Sequence, residues 1–243
     1  FGVIKGSIQP FSAIYNENNI HIQEGALIED FVLLDAKNGP IYIEKNAKIL
    51  AHSRIEGPVY IGENTTILGG NIKSSSIGKN CKIYGEVSDS IFQGYSNKAH
   101  HGFIGHSYIG EWVNLGAGTT TSNLKINYDN VKLKKGNQLI QTQSMFLGSI
   151  IGDYAKTAIG VQLNTGTIIH TGSVLLESYQ NIKEIPSFSW GNPKNNKTVD
   201  IEKFIRTTQN MYHRRNKKLD DRQIELLNFL YESHKIKYES FHI

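Results

Sequence analysis

Residues 43–67 read Ile43-Glu44-Lys45-Asn46-Ala47-Lys48-Ile49-Leu50-Ala51-His52-Ser53-Arg54-Ile55-Glu56-Gly57-Pro58-Val59-Tyr60-Ile61-Gly62-Glu63-Asn64-Thr65-Thr66-Ile67. Every sixth residue from Ile43 to Ile67 is isoleucine, and four places after each of the first four stands Ala47, Ser53, Val59 or Thr65. A six-residue period matches neither a helical face nor a plain two-residue alternation. It suits a short strand and a tight corner repeated around a three-sided coil. The aliphatic residue points into the coil and the small one fits the corner.

The pattern recurs as Ile22, Ile28 and Leu34, as Ile77 and Ile83, as Ile109 and Leu115, and as Ile151, Thr157, Leu163, Ile169 and Leu175. Gly often follows the aliphatic position, as in Ile61-Gly62, Ile77-Gly78, Ile109-Gly110, Leu115-Gly116 and Ile151-Gly152. Glycine there predicts corners with positive φ. The pattern resembles the left-handed parallel β-helix of the hexapeptide-repeat acyltransferases, an exception to right-handed crossovers. The expected fold is an all-β solenoid with three hexads per coil, rungs rising about 4.8 Å each, and a helical extension at the C-terminus.

At 243 residues the chain is long enough for such a solenoid to bury a core rung by rung. The net charge of +4, from Lys+Arg 26 against Asp+Glu 22, is too mild to argue for nucleic acid without a basic-aromatic module. The single cysteine, Cys81, holds a small corner position, which reads as structural and excludes a disulfide framework within the chain. No apolar run is long enough to span a bilayer and no basic-then-apolar leader is present, so no membrane partner is expected and the cytoplasm is the default compartment. The chain begins at Phe1 rather than Met, so an upstream domain is expected to have been removed.

Residues 1–19, with Gly6, Pro10 and the polar run Asn16-Glu17-Asn18-Asn19, read as a linker from that missing domain. Residues 20–180 carry the solenoid, broken by a turn at Asp35–Pro40 and by an insertion, Lys125–Gln143, on what solenoids use as a binding face. Residues 181–243 read as an apolar connector, Ile185-Pro186-Ser187-Phe188-Ser189-Trp190-Gly191, followed by two helices capped by Asp200 and by Asp220 or Asp221. Their apolar stripes are expected to cover the open end of the solenoid. The cluster His213-Arg214-Arg215-Asn216-Lys217-Lys218 reads as a solvated helix end, with docking of an anionic partner as the alternative.

The most specific stretch is Ser96-Asn97-Lys98-Ala99-His100-His101-Gly102-Phe103-Ile104-Gly105, followed by Tyr108-Ile109-Gly110-Glu111-Trp112-Val113-Asn114-Leu115-Gly116-Ala117-Gly118-Thr119. It resembles the acetyltransferase half of the bacterial bifunctional enzymes that acetylate glucosamine-1-phosphate and uridylylate the product. It is still more similar to a branch of sugar nucleotidyltransferases in which SNK-x-H and GEW-x-NLGAGT occur with SFSWG downstream. The resemblance covers about Ile20 to Trp190 and implies acetyl-CoA as co-substrate, an amino-sugar 1-phosphate as acceptor, and a homotrimer with its sites between chains. It implies Mg only where a nucleotidylyltransferase domain accompanies the solenoid.

By that resemblance His100 is the catalytic base. An amine attacking a thioester must lose a proton, and an imidazole with an ordinary pKa near ~6.5 accepts it close to neutral pH. His101 is the adjacent candidate and should point the other way along a strand. Asn114 matches the asparagine that binds the amino sugar, and Ala117 the residue whose backbone amide faces the acetyl carbonyl. Asn123 matches a further substrate-side asparagine, with Asn127-Tyr128-Asp129 as the alternative partner for the family's Asn-Tyr-Asp. Ile159 and Ser173 fall where the family contacts coenzyme A, Ile159 through its backbone alone.

Departures lie on the sugar-phosphate side. Phe103 replaces a substrate-binding tyrosine, Ser88 stands where a phosphate-binding lysine is expected, and Gly70 where an arginine is expected. Lys98, Lys125 or Lys132 would supply the replacement charge. Two other readings stand beside acyl transfer. One is a non-catalytic trimerisation and regulatory platform for a nucleotidylyltransferase domain; the other is a zinc enzyme like the γ-class carbonic anhydrases, using His101 and His106, for which His52 is out of phase.

Overall fold

The aliphatic residues that set the six-residue period go where their spacing sends them: Ile43, Ile49, Ile55, Ile61 and Ile67 are all at most 1% exposed. The computed structural model, which describes residues 2–179, 182–195 and 197–240 with side chains to residue 234, is a parallel β-solenoid of about ten coils with a short helical part after it. Its first face is a ten-stranded parallel sheet running from Val3–Ile4 to Glu184–Ile185. The register stacks like on like, so that Ile22, Ile43, Ile61, Ile77, Phe92, Ile109, Ile151, Ile169 and Ile185 form one internal ladder. Each fully buried aliphatic side chain of this kind contributes about 1.5–3 kcal/mol.

The second face includes Leu27–Ile28 and Lys48–Ile49, and the third Leu33–Asp35, Ser53–Glu56 and Phe103–Gly105. Two strands, Thr66–Lys73 and Lys82–Ser88, bend around the corner between these faces, with a register shift between Ile67 and Gly70. The small corner residues Ala47, Ser53, Val59 and Thr65 are buried as expected. Cys81 is 1% exposed, and burial pushes its thiol up to about 12, which makes it an inert packing group.

Three expectations need correction. Residues 3–15 are the first coil rather than a linker: Val3–Ile4, Ser7–Ile8 and Ala13–Tyr15 each pair with the coil above, and Ile4, Ile8 and Ile14 pack on the core. Likewise Ile185-Pro186-Ser187-Phe188-Ser189-Trp190 belongs to the last coil, with Ile185 and Phe188 buried and Trp190 bridged to Val174. The expected boundary at 180–181 falls outside the described residues, as do residues 241–243. The glycines after the aliphatic positions are not the ones with positive φ. They let coils approach closely: a Cβ at Gly78 would lie 1.8 Å from the carbonyl oxygen of Gln93, and one at Gly116 would lie 2.4 Å from the backbone of Ala158.

Positive φ falls instead in the middle of each corner. Between the first and second faces it is taken by Gly25, Asn46, Asn64 and Asn80 in the early coils, and by Tyr95, Trp112, Tyr154, Gly172 and Phe188 in the later ones. Asparagine and glycine enter this left-handed region readily, whereas aromatic residues do so at a cost. The aromatics recover that cost by packing against the helices α1 (Ile201–His213) and α2 (Asp221–Ser240). Trp112 is stacked between Tyr95 at 4.4 Å and Tyr212 at 4.1 Å, Phe188 meets Phe204 and Tyr231 edge-on, and the Tyr154 and Tyr212 hydroxyls lie 2.9 Å apart. The helices therefore run along this corner from the coil of Tyr95 to the last, instead of simply closing the open end. Asp200 accepts a hydrogen bond from the Lys203 amide, and Asp220 and Gln223 cap each other reciprocally. Among the described residues, no helix is long and apolar enough to cross a membrane.

Candidate active site

The corner between the second and third faces holds the two histidines singled out from sequence. After the strand Asn97–Lys98 the chain bends through Ala99–Gly102 before entering Phe103–Gly105. His100 and His101 sit in this bend, so both rings are exposed rather than alternating along a strand. Gly102 makes the bend possible: its φ is +129°, and a Cβ there would lie 2.2 Å from the carbonyl oxygen of Thr119.

Lys98 holds the bend from inside. Its side chain is only 2% exposed, and its ammonium donates to the carbonyls of Tyr84 at 2.6 Å and His100 at 3.0 Å. Burial lowers its pKa to about 8. The expected surface cation is thus turned into the coil, with its donors committed to backbone oxygens.

On the next two coils the same edge is built of small residues. The Gly118 amide donates to the His101 carbonyl at 3.1 Å, and a side chain at Gly118 would stand 3.5 Å from His101 Nε2. Gly116 N–H is satisfied by Thr157, and Gly160 N–H donates to the Ala117 carbonyl at 2.7 Å. Among the described residues, no acceptor lies on the Ala117 amide. Ile159, 78% exposed, continues the edge. Ser173 does not reach it: fully buried, its hydroxyl donates to the Pro186 carbonyl at 2.6 Å, with the His170 carbonyl also within 2.9 Å, and ties the last two coils together.

The third face carries Phe103 and Asn123. The ring of Phe103 and the amide of Asn123 both lie over Gly105, where a Cβ would come within 2.3 Å of the ring and 2.8 Å of Asn123 Nδ2. Asn123 Nδ2 lies 2.9 Å from His106 Nδ1, and His106 Nε2 is 3.9 Å from Asp89 Oδ2. Phe146, just after the insertion, stacks on His106 at 5.1 Å. The alternative Asn127-Tyr128-Asp129 is exposed in the insertion, with Lys125 bonded to the Asn130 carbonyl. Lys132 opens an exposed hairpin, Lys132–Lys135 against Gln138–Gln141.

Beside Phe103, a depression of about 210 Å³ is lined by residues that include Arg54, Asn71, Lys73, Glu86 and Ser88. The register puts Lys73 directly next to Ser88, so a cation does stand beside the missing lysine, one coil away. Lys73 and Arg54 both bond Glu56 at 3.1 Å, and these hydrogen bonds hold the Glu56 carboxyl below the usual range. Gly70, φ +98°, serves the corner bend.

Asn114 stands exposed on the second face, bridged to Asn97 below and Lys156 above. The residues proposed from sequence therefore divide: His100, His101, Ala117 and Ile159 share one edge, Phe103 and Asn123 lie on the face to one side, and Asn114 on the face to the other. His106, Asn97 and Arg215 were not assigned to this site from sequence; Asn97 at least lies within the SNK motif. His101 and His106 stand at opposite ends of one strand, and His52 stacks on Phe31. Among the described residues, no three His, Cys, Asp or Glu side chains are grouped to hold a metal ion.

The fold and this edge define the chain as a hexapeptide-repeat solenoid with a histidine-bearing corner. By sequence it is related to the bifunctional sugar-1-phosphate nucleotidylyltransferase/acetyltransferases, whose acetyltransferase part it fits. It is 32% identical over 164 residues to a bifunctional sugar-1-phosphate nucleotidylyltransferase/acetyltransferase of Sulfurisphaera tokodaii, covering 63% of this chain and 38% of that protein. It is 32% identical over 155 residues to the bifunctional protein GlmU of Thermodesulfovibrio yellowstonii, covering 58% of this chain and 30% of the relative. With GlmU of Thermotoga petrophila the identity is 33% over 120 residues, 49% of this chain and 22% of the relative. The chain thus spans less than two fifths of the length of these relatives. No family model matches it. Among solved structures, a point mutant of AntD, an N-acyltransferase from Bacillus cereus in complex with dTDP and coenzyme A, covers 75% of this chain and 73% of its own, at 14% identity and a TM-score of 0.17.

Proposed function

We propose that the chain is an acetyl-CoA-dependent N-acetyltransferase acting on an amino-sugar 1-phosphate, glucosamine-1-phosphate or galactosamine-1-phosphate. The observation that carries this is the edge itself: an exposed histidine pair one coil from the Ala117 amide, which has no acceptor among the described residues, on a surface kept low by Gly116, Gly118 and Gly160. Such an edge suits a thioester carbonyl brought against a backbone donor.

His100 would take the proton from the acceptor amine as the nitrogen attacks the thioester carbon. The Ala117 amide would hold the carbonyl oxygen as negative charge develops, a contribution worth about 2.7–4 kcal/mol for one such donor. The carbon–sulfur bond then breaks and the coenzyme A thiolate leaves, so no covalent enzyme intermediate is needed. Asn114, Phe103 and Asn123 would bind the sugar, with Lys73 beside Ser88 as a source of phosphate-binding charge. Ser173 and the Lys98 ammonium, both inside the coil, act through the fold. Because Asn114 and Asn123 lie on different faces of one chain, a neighbouring copy would complete the pocket, which supports a homotrimer.

The test is release of free thiol from acetyl-CoA with each amino-sugar phosphate, for wild type and His100→Ala. Acceptor-dependent release that falls about 10²-fold or more in the variant is expected. Absence of release from a correctly assembled protein would instead support the platform reading.

A further inference from the structure

The basic cluster after α1 is not simply a solvated helix end. Arg215 is half-buried and its guanidinium donates to Asn97 Oδ1 at 2.8 Å, across 118 positions of sequence. Asn97 Nδ2 in turn donates to Asn114 Oδ1, a longer bond of 3.4 Å. Asn97 and Asn114 are stacked on adjacent coils of the second face.

The anchoring is built from the same two coils. Tyr95 and Trp112, each two residues before one of these asparagines, take the left-handed corner positions and stack in series onto Tyr212. Tyr212 is further held by the Tyr154 and Gln223 side chains. Lys217 lies over the Tyr95 ring at 5.3 Å. The end of α1 is thereby fixed against the coils that carry the asparagines, and Arg215 follows Tyr212 by three residues.

A guanidinium can only donate, so it dictates the polarity of what it touches. With Asn97 Oδ1 accepting from Arg215, the amide nitrogen of Asn97 must face Asn114, and Asn114 must turn its oxygen toward Asn97. The Asn114 amide nitrogen then faces outward with its N–H groups available. We infer that Arg215 is a positioning residue of the acyl-transfer site, which acts through Asn97 to make Asn114 present hydrogen-bond donors to an oxygen of the acceptor, a sugar hydroxyl or a phosphate oxygen. This rests on the reading of Asn114 as an acceptor-binding residue. It gives the C-terminal helices a role in the site beyond covering the solenoid.

The experiment uses the full chain. Arg215→Ala should raise KM for the amino-sugar phosphate about tenfold, the scale of losing a charge-assisted hydrogen bond, and leave KM for acetyl-CoA unchanged. In an Asn114→Ala background it should add nothing further. Asn97→Asp is the second variant: it keeps an acceptor for Arg215, and so the packing, but removes the donor to Asn114. It should therefore raise the same KM with the melting temperature held or increased, an outcome that a merely structural role for Arg215 does not produce. Additive effects in the double variant, or an unchanged acceptor KM in both single variants, would overturn the inference. The side-chain ¹⁵N amide resonances of Asn97 and Asn114 provide a readout independent of activity. Both should shift in Arg215→Ala; if neither does, the relay is wrong even where acetyl transfer is found. If the wild type transfers no acetyl group but both resonances shift, the relay stands and the functional reading fails.

Discussion

Lys98 shows how one residue type changes meaning with its direction. As a basic residue in the SNK motif it reads as a ligand for phosphate; turned into the coil, it ties the Tyr84 and His100 carbonyls together and supports the bend that exposes two histidines. The consequence is measurable in stability. Its pKa falls from 10.5 to about 8 on folding because burial disfavours the charged form. Between those values the unfolded chain still holds a proton that the folded chain has released, so stability rises with pH across that window and the penalty is largest below pH 8. Lys98→Met removes this dependence. The difference in unfolding free energy, wild type minus variant, should increase from pH 8 toward 10.5 with a slope approaching ~1.4 kcal/mol per pH unit, read by denaturant titration. Lys156, also lowered to about 8 by burial, is present in both proteins and cancels. A pH-independent difference would mean that the bonds to the Tyr84 and His100 carbonyls offset the burial and keep the ammonium charged.

At the scale of elements, the corner between the first and second faces is where the solenoid and the helices determine each other. Early coils fill the left-handed position with Asn46, Asn64 and Asn80, which need no neighbour; later coils fill it with Tyr95, Trp112, Tyr154 and Phe188, whose rings form one apolar cluster with Phe204, Tyr212 and Leu227. Trp112→Asn relieves the backbone but leaves a void between Tyr95 and Tyr212. The loss should exceed the relief, with a destabilisation of about 2–4 kcal/mol measured by denaturant unfolding. The same substitution should free the end of α1 and reproduce the acceptor-KM defect of Arg215→Ala, because Tyr212 carries Arg215. A variant as stable as wild type would show that the helices draw little from this stack.

For the whole molecule, the candidate residues divide between two faces, so the proposed function carries a prediction about assembly. Light scattering should give a mass of three copies of the 27.3 kDa chain; a monomer that nevertheless turns over would require Asn114 or Asn123 to be dispensable. The solenoid itself was legible in the chain because burial along a coil depends on local spacing: an isoleucine every sixth residue has one inward direction whatever lies elsewhere. Local reading also singled out His100 and the Gly116–Gly118 stretch, since both lie in contiguous motifs, but it expected His100 and His101 to alternate along a strand where the chain in fact bends. It placed glycine's positive φ at the wrong corner residue, because close approach between coils and left-handed backbone both select glycine and only the stacked register separates them. It took residues 3–15 for a linker because one coil of weak hexads, judged alone, lacks the neighbour that completes its pairing.

The sequence by itself determined the repeat, the inward ladder and the position of the histidines along the chain, all properties of residues within a few places of one another. Only the tertiary structure decided that Lys98 faces inward, that Ser173 is a staple between coils, and that Arg215 meets Asn97 beside Asn114. Those outcomes depend on which surfaces lie together after the coils stack and the helices fold back along an aromatic corner, and contacts across more than a hundred residues leave no periodicity in the chain from which to read them.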